Sequence, residues 1–228
     1  MQRSLVQRLW YRLWHMFCRA IFCVGWQMRV RGRRFEPADG GVLVLSNHQS
    51  YLDPMLVGVS LDRRLNYLAR KTLFNFPPLG WLISSLNGIP LNREGLGLSG
   101  VKETLRRLKR GEMVLVFPEG TRCRDGEVGS LKPGFVALAR RGRVQLLPVG
   151  IDGAFDAWPR SRAFPAPSAI NIELGQPISP GEIRQFSDDE LVAEVERRIR
   201  CCHARARMGK RHAAGSRGLA AKSESRPD

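Results

Sequence analysis

A histidine and a carboxylate spaced to form a general base lie between Val42 and Pro54. The apolar run Val42 to Leu45 reads as a buried strand. Ser46-Asn47 ends it, and His48 is the first titratable group beyond. Asp53 follows five positions later, just before Pro54 and a second apolar run. A His delivered by a strand end, with a carboxylate on the next element, is a way to build a general base. The carboxylate holds one ring nitrogen, fixes the tautomer and stabilises the imidazolium formed when the other nitrogen takes a proton. On spacing alone the pair reads equally well as an N-capping Asp and an exposed loop His. Its place at the C-terminal end of a strand, where α/β sheets carry their sites, favours chemistry. The chain has no Gly-x-Ser-x-Gly nucleophile elbow. That points to a base acting on a substrate hydroxyl rather than to a covalent serine.

Two further loops carry candidate binding groups. Phe117-Pro-Glu-Gly-Thr-Arg122 ends an apolar run in an acid, a glycine, a hydroxyl and a guanidinium, with Lys132-Pro-Gly134 downstream. Gly120 would let a ligand approach the backbone, and the planar fork of Arg122 suits a phosphate. The bland alternative is a solvated loop with a surface ion pair between Glu119 and Arg122. Gly88-Ile-Pro-Leu-Asn-Arg93 again sets an Arg just past a short extended piece; alone, Arg93 reads as a surface residue. Gly95-Leu-Gly97-Leu-Ser-Gly100 fits a dinucleotide fingerprint, but no proper strand leads directly into it. It reads as a loop with Ser99 as N-cap.

The elements that would position these groups follow from pattern. Asp53-Pro54 starts a helix running to about Ser60, with Asp53 as N-cap and Pro54 at the first helical position. Leu65 to Ala69 is a second strand, Pro78 to Leu86 a short helix, and Ile89 to Leu91 a brief extended piece. Ser99 to Arg110 is a helix closed by Gly111. Met113 to Phe117 is a continuous apolar strand of the parallel, buried type, and Pro118 to Gly134 a polar loop. Phe135 to Arg141 is a helix closed by Gly142, Val144 to Ile151 a buried strand, and Ala169 to Leu174 an alternating one. Ser187-Asp-Asp-Glu190 is a capping box opening a helix to about Met208. Strands alternating with helices predict a single α/β domain with a largely parallel central sheet flanked by helices.

Charge is concentrated at the ends. The 228 residues carry a net charge of +16. Residues 1–34 hold eight Arg and no acid, residues 201–228 a net of +5, and the middle only +3. Basic arms of this kind suit an anionic partner. In residues 1–28 Arg8, Arg12 and Arg19 share one face of a helix, opposite most of the large apolar residues, with Trp10 and Trp14 among them. This is the pattern of an amphipathic interfacial helix. The longest charge-free run, Ala20 to Met28, is too short to span a bilayer, which takes about 20 residues. Arg12 and Arg19 also interrupt any signal-peptide core. An ordinary core-packing helix is the bland alternative. The reading is therefore a membrane helix over 1–28, a catalytic domain over 29–208 and a disordered basic tail over 209–228. The C-terminal basic arm lacks aromatic interleaving, so nucleic acid is not the expected partner. The five cysteines show no disulfide or metal-site spacing, which fits a reducing setting.

Four segments, in order, resemble the glycerolipid acyltransferase family, best known for its lysophosphatidate acyltransferases. Asn47-His-Gln-Ser-Tyr-Leu-Asp53 resembles the first block, in which the His is the catalytic base and the Asp its partner. Gly88 to Arg93 resembles the second, Phe117 to Arg122 the third, and Leu147-Pro-Val-Gly-Ile151 the fourth, near the acyl-binding region. The resemblance spans residues 30–180 and departs at Asn92, often Asp, and Cys123, commonly Ser. It implies His48 and Asp53 as catalytic residues, and Arg93, Glu119, Gly120, Thr121, Arg122 and Lys132 as the acceptor and phosphate site. It implies acyl-CoA or acyl-carrier protein as donor, lysophosphatidate or a related lysolipid as acceptor, and an anionic membrane surface on the cytoplasmic face of the cell membrane. No metal or cofactor is called for. Another lysolipid as acceptor and, less favoured, a basic nucleic-acid-binding protein are the competing readings.

Overall fold

The computed structural model describes residues 5–70, 88–91 and 98–224. Helix α1 (Leu5–Gly25) leads into β1 (Arg29–Arg31) and a 3-10 turn at Arg33–Phe35. Then come β2 (Val42–Ser46), α2 (Asp53–Ser60), β3 (Leu65–Arg70), β4 (Gly88–Leu91), α3 (Leu98–Lys109) and β5 (Met113–Val116). The chain closes with α4 (Gly134–Gly142), β6 (Gln145–Asp152), α5 (Ala154–Ala157), β7 (Asn171–Leu174), α6 (Pro180–Ile183) and α7 (Asp188–Glu224). The expected short helix at Pro78–Leu86 lies outside the described residues.

Among the described residues the strands form one sheet in the order β1-β7-β6-β2-β5-β3-β4. β6, β2, β5, β3 and β4 run parallel, while β7 pairs antiparallel with β6 and β1 follows β7. The parallel block is built around β2 and β5, whose residues, Ser46 aside, are buried and apolar on both faces. In β2, Val42 and Val44 pack against one layer with α1, α2 and α5. Leu43 and Leu45 pack against the other, with α3, α4 and α7. Helices on both faces are what such two-sided strands require. β2 is the pivot. From it the chain moves outward to β3 on one side, and later from β5 to β6 on the other. That reversal puts a crevice beyond the C-terminal ends of β2, β5 and β6, where doubly wound sheets bind ligands.

Five local expectations change. Arg29–Arg31, part of the basic N-terminal arm, is an edge strand whose backbone completes the sheet against β7. β7 alternates in sequence, yet all four of its residues are buried, because β1 and α7 cover it. Gly142 is the last residue of α4, and the left-handed position falls to Arg143 (φ 49°). Ser99 lies inside α3 rather than capping it. The helix that begins with the predicted Ser187–Glu190 capping box does not end near Met208. It runs to Glu224 through a stretch in which Ala, Lys and Arg, good helix formers, outnumber the glycines. The tail over 209–228 is thus helical across most of its length.

Candidate active site

Register decides what meets at the crevice. Leu45 stands beside Val116, and Ser46 beside Val149, so β2 and β5 end within a residue of each other while β6 runs on to Asp152. Past Ser46 the backbone ladder stops, and Asn47 continues it with a side chain. Its Nδ2 donates to the Ile151 carbonyl (2.9 Å) and its Oδ1 accepts from the Ile151 N–H (2.8 Å). The next residue, His48, therefore leaves the sheet in a fixed direction.

His48 Nδ1 lies 2.7 Å from Asp53 Oδ2. Asp53 is fully buried. The same oxygen accepts the N–H groups of Gln49 (2.6 Å) and Ser50 (2.7 Å). An oxygen that already serves as acceptor to two donors accepts a hydrogen bond from Nδ1–H as well, which leaves Nε2 as the basic nitrogen. The expectation of Asp53 as helix N-cap is corrected here. Leu52 occupies that position, with no side-chain cap, and the carboxylate turns back onto the 48–50 turn. Its binding to the turn's own N–H groups holds it there better than one exposed helix terminus could.

The loop after β5 closes over the same turn. Phe117 stacks on the His48 ring, with centroids 3.9 Å apart and planes 12° from parallel. Glu119 Oε1 accepts the His48 N–H at 3.1 Å, and the His48 carbonyl accepts the Cys123 N–H at 2.8 Å. The backbone of the candidate base is thus gripped from both sides by one loop. Glu119 is buried, and burial, partly opposed by the N–H groups of His48 and Gly129, pushes its carboxyl up to about 7. It is not the partner of a surface ion pair with Arg122.

Arg122 instead lies over the Tyr51 ring, with Cζ 3.4 Å from the centroid, a cation–π contact. Its Nη1 is buried without a hydrogen-bond partner among the described residues. Gly120 adopts φ 73°, and a Cβ there would press on the Lys132 side chain, which lies across it. Lys132 is exposed at its tip and donates its backbone N–H to the Pro118 carbonyl at 2.8 Å. Thr121 is exposed. A depression of about 290 Å³ beside this loop is lined by Thr121, Arg122, Arg124, Ser130 and Arg160, among others. Arg93 and Asn92 lie outside the described residues. Of the predicted site residues, the structure brings together His48, Asp53, Glu119, Gly120, Arg122 and Lys132. The Cys123 thiol is held up at about 11, chiefly by burial, and so is no nucleophile at neutral pH.

Sequence reasoning missed Phe117 as a ring partner, because nothing in a strand-end Phe announces a stack. It also missed Gln49. This buried side chain donates to the Gly126 carbonyl (2.6 Å), accepts the Phe155 N–H (3.3 Å) and reaches His203 of α7 (3.3 Å). The signal for it was there: a run of polar residues immediately after a buried strand, too close to the core to be solvated.

A sheet of this topology, with a carboxylate-held His at its switch point and no serine elbow, defines an α/β domain with a candidate general base. The sequence pattern of the acyltransferase family matches residues 27–152. The 1-acyl-sn-glycerol-3-phosphate acyltransferase of Bacillus subtilis is 31% identical over 169 residues, covering 74% of this chain and 82% of that one. A chloroplast 1-acyl-sn-glycerol-3-phosphate acyltransferase of Arabidopsis thaliana is 31% identical over 137 residues, which are 59% of this chain and 38% of that longer protein. The crystal structure of the 1-acyl-sn-glycerophosphate acyltransferase of Thermotoga maritima superposes with a TM-score of 0.78 at 27% identity, over 90% of this chain and 83% of that one. The chain belongs to the acyltransferase family and is an acyltransferase of lipid metabolism.

Proposed function

We propose that this acyltransferase moves a fatty acyl group from acyl-CoA or acyl-carrier protein to the free hydroxyl of 1-acyl-glycerol-3-phosphate, giving phosphatidate for phospholipid synthesis. The observation that carries the chemistry is the 2.7 Å bond between His48 Nδ1 and a buried Asp53 carboxylate. The acceptor class is supported by the names of the relatives and by Arg122 on the loop beside that pair, whose Nη1 has no hydrogen-bond partner among the described residues.

An alcohol is far less acidic than an imidazolium of pKa about 6.5, so it cannot be deprotonated in advance. Proton transfer to His48 Nε2 accompanies attack of the hydroxyl oxygen on the thioester carbonyl. Asp53 stabilises the imidazolium. The tetrahedral intermediate then expels the thiolate, which takes the proton back from Nε2, so that ester and thiol are formed and His48 is neutral again. Arg93, Arg122 and Lys132 hold the acceptor phosphate, with Glu119, Gly120 and Thr121 shaping the loop. This fixes the hydroxyl near Nε2, and much of the rate comes from that positioning.

The acceptor sits in a bilayer, and α1 is the element suited to bring the enzyme there. Leu13, Met16, Phe17, Ile21 and Val24 are exposed, whereas Cys18 and Phe22 pack on the core. No described helix is long and apolar enough to cross a membrane. In this reading α1 lies in the interface of the cytoplasmic leaflet. The test is transfer of labelled acyl groups from each donor to a panel of lysolipids. Preference for lysophosphatidate, abolished in His48→Ala, is expected. Wild-type turnover by His48→Ala refutes the mechanism, and preference for a phosphate-free acceptor refutes the substrate.

A further inference from the structure

The segment after α5 has no part in the chemistry above, and it carries the most exposed large apolar side chain outside α1 among the described residues. Phe164 is 79% exposed. A single exposed aromatic needs no explanation by itself. Its setting does.

The loop from Trp158 to Ser168 is an ordered platform. The Ala157 carbonyl accepts the Ala166 N–H (2.7 Å), and the Trp158 indole donates to the Arg162 carbonyl (3.0 Å). Arg162 Nη1 donates to the Asp156 carbonyl (3.0 Å). The platform is braced from two directions. From the catalytic turn, Ser50 Oγ donates to the Trp158 carbonyl (2.9 Å), and the Tyr51 ring packs on Trp158 with centroids 5.3 Å apart. From just past the end of α1, the Trp26 indole donates to the Ala166 carbonyl (2.9 Å).

Register places all three at one end of the sheet. Asp152, the last residue of β6, pairs with Asn171, which pairs with Arg29 just past α1. The C-terminal end of α1, the 158–168 loop and the His48 turn therefore share the edge at which the parallel strands finish. Val24, 83% exposed, continues the apolar stripe of α1 toward that edge. The charged residues of the loop are Arg160 and Arg162, with no acid, and both are exposed.

We propose that the 158–168 loop is a second lipid-contact element, in which Phe164, preceded by two exposed arginines, enters an anionic bilayer and fixes the mouth of the active site against the membrane. One helix lying in an interface leaves the protein free to roll about the helix axis. A second contact point beside the site removes that freedom and turns the crevice toward the lipid that holds the acceptor. An exposed aromatic ring on a loop that carries two exposed arginines and no acid matches the chemistry of an anionic interface, where apolar burial and attraction to headgroups add. The partner follows from the reading of the enzyme as one acting on membrane lipids, yet the contact is measured without any acyl transfer.

The experiment compares co-sedimentation of the full chain with vesicles of phosphatidylcholine, alone or mixed with phosphatidylglycerol. Phe164→Asp is expected to weaken partitioning onto mixed vesicles about tenfold, and Phe164→Trp to retain it. Arg160→Gln should reduce binding to mixed vesicles a few-fold and leave binding to pure phosphatidylcholine unchanged. In parallel, Phe164→Asp should slow transfer to an acceptor embedded in vesicles while keeping wild-type turnover on the same acceptor dispersed in detergent. Wild-type sedimentation of Phe164→Asp overturns the proposal, as does an equal loss of activity in vesicles and detergent. If no lysolipid is acylated but Phe164→Asp still leaves the vesicles, the enzymatic reading fails and the lipid contact stands.

Discussion

The imidazole of His48 lies flat on the ring of Phe117, 3.9 Å between centroids. A base with one nitrogen bound to Asp53 is still free to rock about that bond, and the stacked ring removes the motion. Phe117→Ala is therefore expected to lower kcat about tenfold with little change in KM for the acceptor, because orientation of Nε2 is what it loses. Phe117→Tyr, which keeps the stack, should stay near wild type. Steady-state kinetics on both variants check it, and a pure KM effect would refute it.

Asp53 has one oxygen serving three donors, so an isosteric change keeps its shape and removes its charge. Asp53→Asn should reduce kcat by about 10²- to 10⁴-fold, since a neutral amide neither holds the tautomer nor stabilises the imidazolium. The acceptor does not touch this buried group, so KM should hold within a few-fold. Folding of the variant is verified by its circular dichroism spectrum.

Glu119 predicts a pH effect on stability. Its carboxyl, ordinarily near 4.5, is raised to about 7 by burial in the native state. The folded protein therefore binds this proton more tightly than the unfolded chain does. Its favourable contribution is complete below pH 4.5 and is lost as pH rises toward 7. Relative to Glu119→Gln, the wild type should lose about 2–3 kcal/mol across that window. Chemical denaturation of both proteins at several pH values reads the difference; parallel curves would contradict it.

Gly150 sits where α7 crosses β6. A Cβ there would overlap the backbone at Cys202 and His203. Gly150→Ala should cost about 1–3 kcal/mol of stability by pushing the helix outward. The shift also strains the contact of His203 with Gln49, so activity should fall more steeply with temperature than in the wild type. A thermal melt paired with an activity series tests both.

Local signals in the sequence were enough for much of this protein. A run apolar at every position, such as Val42 to Leu45, can only be stable with both faces covered. That alone implies a parallel, helix-flanked sheet with His48 at a strand end. The capping box at Ser187 and the helix stop at Gly111 are equally local, because each is a short-range choice of hydrogen bond or φ. Other features depend on partners distant in sequence. Arg29–Arg31 is a strand because β7 lends it a ladder, and Asp53 leaves the N-cap because the turn at 48–50 offers it better donors. The Phe117 ring meets His48 because β2 and β5 finish in register, and Gln49 meets α7 because Gly150 lets that helix approach. Residue type and spacing determined which groups could do the chemistry. Strand register and close packing, which no stretch of sequence encodes alone, decided which of them touch.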